Sequence, residues 1–108
     1  MSLVTAAVTS QPVDALHAIA RAVNQAAPKY DIERVYLFGS FARGQASASS
    51  DVDLCLETGP SFSLFSAGGF GCEVESALGR RVDLVSEDIL FPHVRASMLK
   101  ERVLVYER

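Results

Sequence analysis

Two aspartates one residue apart, Asp51 and Asp53, stand in the run Asp51-Val52-Asp53-Leu54-Cys55-Leu56, where charged and apolar side chains alternate. Period-two alternation is the pattern of a half-buried strand, in which residues i and i+2 share a face about 6 to 7 Å apart. Both carboxylates therefore project together while Val52, Leu54 and Leu56 turn to the core. Two like charges so placed repel, and divalent cations between them remove that cost. Hard carboxylate oxygens suit Mg²⁺, which keeps its waters and takes one or two carboxylates plus substrate phosphates. A second alternating run, Arg81-Val82-Asp83-Leu84-Val85, sets a third carboxylate opposite in face to its apolar neighbours. If the two strands pair side by side, about 5 Å apart, Asp51, Asp53 and Asp83 come within reach of the same metals. Three carboxylates can hold two ions roughly 4 Å apart, the clamp used for in-line displacement at phosphorus.

The segment upstream supplies what a phosphate needs. Val35, Tyr36, Leu37 and Phe38 form a continuous apolar run that reads as a buried strand and stops at Gly39-Ser40. Gly39 permits a sharp turn with close backbone approach, and Ser40 is suited to N-cap a short helix beginning around Phe41. The unpaired N–H groups at such a start favour an anion. Arg43 adds a fork of donors for phosphate oxygens, and Gly44 lets the short helix end.

These groups need a scaffold, and the flanking sequence describes one. Val13, Leu16, Ala20, Val23 and Ala27 recur at helical spacing, predicting a first helix from about Pro12 to Ala27, ended by Pro28, that covers one face of a sheet. Between Gly59 and Gly79 the residues Leu64, Phe65, Val74 and Leu78 fit a helix, but Gly68, Gly69 and Gly71 each cost about 1 kcal/mol against alanine. A broken or mobile helix is expected there, C-capped at Gly79. Phe62, Phe65 and Phe70 are either core or part of a partner surface. A last helix around Ile89 to Lys100 precedes a final strand at Val103-Leu104-Val105-Tyr106. The expected fold is α/β (α+β): a small mixed sheet of about four strands with helices packed on it. Residues 1–11 read as a flexible N-terminal tail and 12–108 as a single domain.

At 108 residues the chain has room for one core. Ten basic against thirteen acidic residues, a formal charge of −3, give no broad footprint for a polynucleotide, although Arg80 with Arg81, or Lys100 with Arg102, could supply a local patch. No apolar run approaches the roughly 18 residues of a membrane span, and residues 1–11 lack the pattern of a secretory signal. Cys55 and Cys72 have no metal-ligand spacing, so the cytoplasm is the expected compartment. Cys55 reads as a small core filler and His17 and His93 as structural.

Gly39, Ser40, Arg43, Gly44, Ser50, Asp51 and Asp53, followed by Asp83 in R-V-D-L-V, resemble the G-S-x-A-R-G-x-A-x-x-x-S-D-x-D-L signature of the minimal nucleotidyltransferase family, a branch of the DNA polymerase β-like superfamily. The order of elements from about Val13 to Tyr106 fits as well. The resemblance implies a polymerase β-like nucleotidyltransferase fold and metal-dependent transfer of AMP from ATP onto a hydroxyl. It further implies an antitoxin whose partner is a HEPN-domain ribonuclease toxin, adenylylated on tyrosine. On this reading Asp51 and Asp53 bind the metal that holds the triphosphate and share a second with Asp83. Gly39 and Ser40 cradle the β and γ phosphates, with Arg43 steadying the short helix or the leaving pyrophosphate. Asp83 lowers the proton affinity of the acceptor, as general base or through its metal. Larger relatives with this signature carry a second domain for the acceptor. Here the acceptor is expected on another macromolecule or subunit, in an oligomer with the partner. Two alternatives stay open: a non-enzymatic neutraliser that binds and blocks a toxin, and a nucleotidyltransferase acting on a small hydroxylated molecule.

Overall fold

The structure, a computed structural model, describes residues 12–86 and 92–108. The expected tail at residues 1–11 and the first three residues of the expected last helix, from Ile89, lie outside the described residues. The elements run α1 (Pro12–Ala26), a 3₁₀ turn (Ala27–Lys29), β1 (Ile32–Phe38), α2 (Gly39–Ala42), β2 (Val52–Thr58), α3 (Leu64–Leu78), β3 (Val82–Ser86), α4 (Pro92–Glu101) and β4 (Val103–Glu107). The strands form one mixed sheet in the order β3-β2-β1-β4. β1 pairs antiparallel with both β2 and β4, while β2 and β3 are parallel. A parallel pair needs a crossover of a dozen or more residues, and α3 provides it. Among the described residues no helix is long and apolar enough to cross a membrane.

Alternation along the strands divides the interior between the two faces of the sheet. Val35 and Leu37 of β1 and Val52, Leu54 and Leu56 of β2 pack with Ile19, Ala22, Val23 and Ala26 of α1 and Phe70 and Val74 of α3. The α1 residues recur at i, i+3, i+4 and i+7, so one stripe of that helix is buried and the opposite side is wet. On the other face Tyr36 of β1 and Cys55 of β2 pack under Met98 of α4, with Phe38 and Val85 at the margin. Cys55 is thus a fully buried filler, while Cys72 is exposed.

The glycine-rich helix is the main departure from expectation: α3 runs unbroken for 15 residues. Two features offset the glycine penalties. Ser63 and Ser66 form a reciprocal capping box at its start and Gly79, at φ 66°, closes its end; each cap contributes about 1 kcal/mol. Phe70 and Val74, both fully buried, anchor the middle, at about 1.5 to 3 kcal/mol per large apolar side chain. Gly69 has a packing role, because a Cβ there would come 2.7 Å from the Tyr30 hydroxyl oxygen. Its bareness lets Tyr30 lie edge-on to Phe70, with ring centroids 6.1 Å apart. Of the three phenylalanines, Phe70 is core, Phe62 half-buried against it, and Phe65 exposed beside Leu64.

Candidate active site

The chain turns sharply where β1 ends. Phe38 is extended, Gly39 sits at φ 74°, and the four residues Gly39–Ala42 form α2 at once. The helix therefore begins earlier than the sequence suggests, with Phe38 and not Ser40 at the N-cap position and no side-chain cap. Gly39 takes the left-handed conformation that this turn requires, which places Ser40 inside the helix and not at its cap. The hydroxyl of Ser40 is thereby freed, and among the described residues no hydrogen bond engages it. Arg43 closes the turn through its main-chain N–H, which donates to the Gly39 carbonyl, and Gly44 follows at φ 72°.

Asp53 lies directly beneath this turn. It pairs with Phe38 of β1 on one side and with Asp83 of β3 on the other. The conditional expectation that β3 pairs beside β2 is thus met in register, with the two carboxyl-bearing residues opposite each other on strands spaced about 4.8 Å. Asp51, two residues before Asp53, immediately precedes the first residue of the strand, Val52. A Cβ on Gly39 would come 2.2 Å from Asp53 Oδ2. The carboxylate therefore occupies the space that any other residue at position 39 would fill.

Burial, together with the charges of Asp83 and then Asp51, raises the Asp53 pKa above the ordinary carboxylate value, and Arg43 offsets part of this. Asp51 and Asp53 are half-buried and Asp83 is exposed. Among the described residues none of the three has an ion-pair partner. Arg43 itself is engaged at the rim, where Nε donates to Gln45 Oε1 at 3.1 Å and Nη1 lies 3.4 Å from Glu101 of α4. It thus stands near enough to be felt by Asp53 while its fork is turned toward α4.

The donor set suits a divalent cation: three hard carboxylates, mutually repelling, without a fixed counter-charge. Among the described residues no three acidic, histidine or cysteine side chains converge closely enough to enclose an ion as they stand. Side-chain rotation about strands already in register would be needed to bring the three together.

Two residues at this end of the sheet escaped the sequence reading. Glu101 receives Arg43, as just described. Arg80, considered only as part of a basic patch, donates from Nη1 to the carbonyls of Ser47, Ala48 and Ser50 at 3.2, 3.1 and 3.0 Å. Its Cζ also lies 4.9 Å from the centroid of the buried Phe41 ring. The only sequence signal was its place between the helix-ending Gly79 and the Asp83 strand.

Comparison with known proteins shows the family and the fold. Residues 21–108 match the family model described as polymerase beta, nucleotidyltransferase. Over 77 residues the chain is 32% identical to a Thermococcus cleftensis protein named protein adenylyltransferase MntA, covering 71% of this chain and 78% of that protein. A solved structure described provisionally as a minimal nucleotidyltransferase superposes with a TM-score of 0.73 at 36% identity, covering 83% of this chain and 92% of the other. A chain from the complex of a tri-AMPylated Shewanella oneidensis HEPN toxin with MNT antitoxin shares the fold at a TM-score of 0.57 and 16% identity, over 83% of this chain and 73% of that one.

Proposed function

The chain belongs to the polymerase beta nucleotidyltransferase family, and we propose that it transfers AMP from ATP to a tyrosine hydroxyl of a HEPN-type toxin, acting as that toxin's antitoxin. The observation that carries the reading is Asp53, in register with Asp83, two residues from Asp51 and packed against the Gly39 turn. The adenylyltransferase name of the Thermococcus relative and the AMPylated toxin of the Shewanella complex support the choice of nucleotide and partner.

In this proposal residues 12–108 are one nucleotidyltransferase domain in which Asp51, Asp53 and Asp83 hold two Mg²⁺ ions. Bound there, Mg²⁺ would neutralise phosphate charge and make the acceptor hydroxyl more acidic. Gly39 and Ser40 line the phosphate end through main-chain N–H groups and the Ser40 hydroxyl. Arg43 neutralises the departing pyrophosphate after exchanging Glu101 for it, a small cost because that contact is long and partly exposed. Asp83, the exposed member, faces an acceptor arriving from outside. It accepts the hydroxyl proton as the oxygen attacks the α phosphorus and the bond to pyrophosphate breaks.

The test is an intact-mass measurement on a HEPN-type toxin that this chain neutralises, after incubation with the chain, ATP and MgCl₂. An increment of one or more AMP units, lost in Asp51→Asn and Asp53→Asn, is expected. Toxin neutralised without any mass increment would establish the non-enzymatic blocker in its place. ATP consumed only when a small hydroxylated compound is supplied would point to the small-molecule transferase.

A further inference from the structure

The loop that delivers Asp51 to the site is held by a residue from elsewhere in the chain. Between Gly44 and Val52 the chain is polar and largely exposed, and its own backbone hydrogen bonds are local: Gln45 N–H to the Ser40 carbonyl of α2, Ser50 N–H to the Ser47 carbonyl and Ser47 N–H to Ser50 Oγ. Nothing in those bonds fixes the loop relative to the sheet. Arg80 does so, reaching from the end of α3 to three carbonyls of the loop, those of Ser47, Ala48 and Ser50.

The same guanidinium lies over Phe41, two residues after the glycine that abuts Asp53. Immediately after it, the Arg81 carbonyl accepts from Val52 N–H at 2.9 Å, at the point where β2 and β3 begin to pair. One residue thus touches both segments that flank the carboxylates, and its neighbour starts the register that sets Asp53 against Asp83.

The geometry points to Arg80 as a positioning residue for the metal–nucleotide site. It holds Asp51 and the Gly39–Ala42 turn at a fixed separation through main-chain carbonyls and an aromatic face, without touching substrate. This rests on the nucleotidyl-transfer reading. Groups that orient ligating residues typically cost about 10- to 100-fold in affinity or activity when removed. A lysine retains a cation with several donors for the carbonyls but loses the planar group that lies over the ring.

The experiment measures Mn²⁺ binding in the presence of a non-hydrolysable ATP analogue by water-proton relaxation. It compares the wild type, Arg80→Ala, Arg80→Lys and the charge-matched Arg21→Ala on the exposed side of α1, each well below its melting temperature. Expected are a loss of affinity of about 10-fold or more in Arg80→Ala, partial recovery in Arg80→Lys, and no change in Arg21→Ala. Wild-type affinity in Arg80→Ala would overturn the assignment, as would Arg80→Lys being no better than Arg80→Ala. If the wild type binds no Mn²⁺ nucleotide, the transferase reading fails instead. Amide exchange over residues 46–52 then decides the tether: faster exchange in Arg80→Ala upholds it, and unchanged exchange overturns it.

Discussion

Asp53→Asn should make the metal-free protein more stable at neutral pH while abolishing transfer. Asp53 stands between Asp83 across the parallel pair and Asp51 two residues back, with only the nearby charge of Arg43 in partial relief. Two unit charges 5 to 6 Å apart interact by about 1 to 3 kcal/mol for effective dielectric constants between those of water and a protein surface. Because Asp83 is exposed and screened, the lower end applies, and about 1 kcal/mol is a fair value for the repulsion removed. In a domain of this size that corresponds to about 4 to 8 °C in Tm.

The pH dependence of this effect has a definite sign. The Asp53 pKa is raised above its ordinary 3.8, so in the window above 3.8 the folded state binds more protons than the unfolded one. Its contribution to stability falls as pH rises through the folded pKa and stays low at neutrality. The advantage of Asp53→Asn should therefore be present at pH 7 and shrink as pH falls toward 3.8. Calorimetry in EDTA at several pH values measures this directly. Adding Mg²⁺ and an ATP analogue should reverse the order, since ligand at about 100 times its dissociation constant stabilises the wild type by about 2.7 kcal/mol. An Asp53→Asn protein that melts below the wild type at pH 7 in EDTA would refute the charge-repulsion argument. One that keeps the full nucleotide-induced shift would refute the placement of Asp53 in the site.

Two further expectations follow from glycine geometry and from the acid limb. Gly39→Ala and Gly44→Ala both place a Cβ at positive φ, but only the first meets an obstacle, 2.2 Å away at Asp53, whereas the second has nothing within 4 Å. Both should lose about 1 to 3 kcal/mol in urea unfolding, and only Gly39→Ala should also lose AMP transfer and Mn²⁺ nucleotide affinity; equal activity in the two variants would contradict the close approach. Asp31 is held below its usual pKa of 3.8 by the Ser61 N–H and hydroxyl and by Arg108, and Glu73 below 4.5 by Lys29 and the Tyr30 hydroxyl. Stability from these two is complete above those values and is lost as pH falls below them, so Asp31→Asn and Glu73→Gln should lower Tm at pH 7 and flatten its decline below pH 4.5; an unchanged acid limb in melting scans would count against these contacts.

The carboxylates were legible in the sequence because alternation is a property of a few adjacent residues. Asp51 and Asp53 follow from their apolar neighbours, and so does Asp83. What the sequence could state only conditionally was that β2 and β3 lie side by side with Asp53 facing Asp83, since a parallel register is set by the length and path of α3. That helix was itself misjudged. Three glycines lower intrinsic helix propensity, yet tertiary burial of Phe70 and Val74 and a serine–serine capping box outweigh it. The same helical phase separates Phe70 in the core from Phe65 in solvent, a distinction that spacing alone leaves open until the sheet fixes which stripe is covered. Arg80 was missed because its partners are carbonyl oxygens, which every residue possesses and no side-chain pattern marks.

The arrangement has a thermodynamic logic that joins these points. All three carboxylates stand at one end of the sheet, where β1 finishes and the parallel strands β2 and β3 begin. Directly behind them Leu37, Val52 and Leu54 are fully buried, so the strands cannot splay apart to relieve the repulsion without opening the core. A backbone tied on one side by buried aliphatics and on the other by Arg80 and its three carbonyls leaves the charges few ways to separate except by side-chain rotation. Protonation can discharge Asp53 at low pH, and arriving cations can do so at neutral pH. Without bound cations the fold carries an unfavourable term that binding a metal–nucleotide would release, and the stability gained on removing Asp53 charge should match the part of binding free energy that this release supplies. Comparing the EDTA stability difference between wild type and Asp53→Asn with the wild-type Mg²⁺ nucleotide stabilisation tests that link: if binding is tight but Asp53→Asn gains nothing in EDTA, affinity comes from the phosphate contacts and not from relieved repulsion.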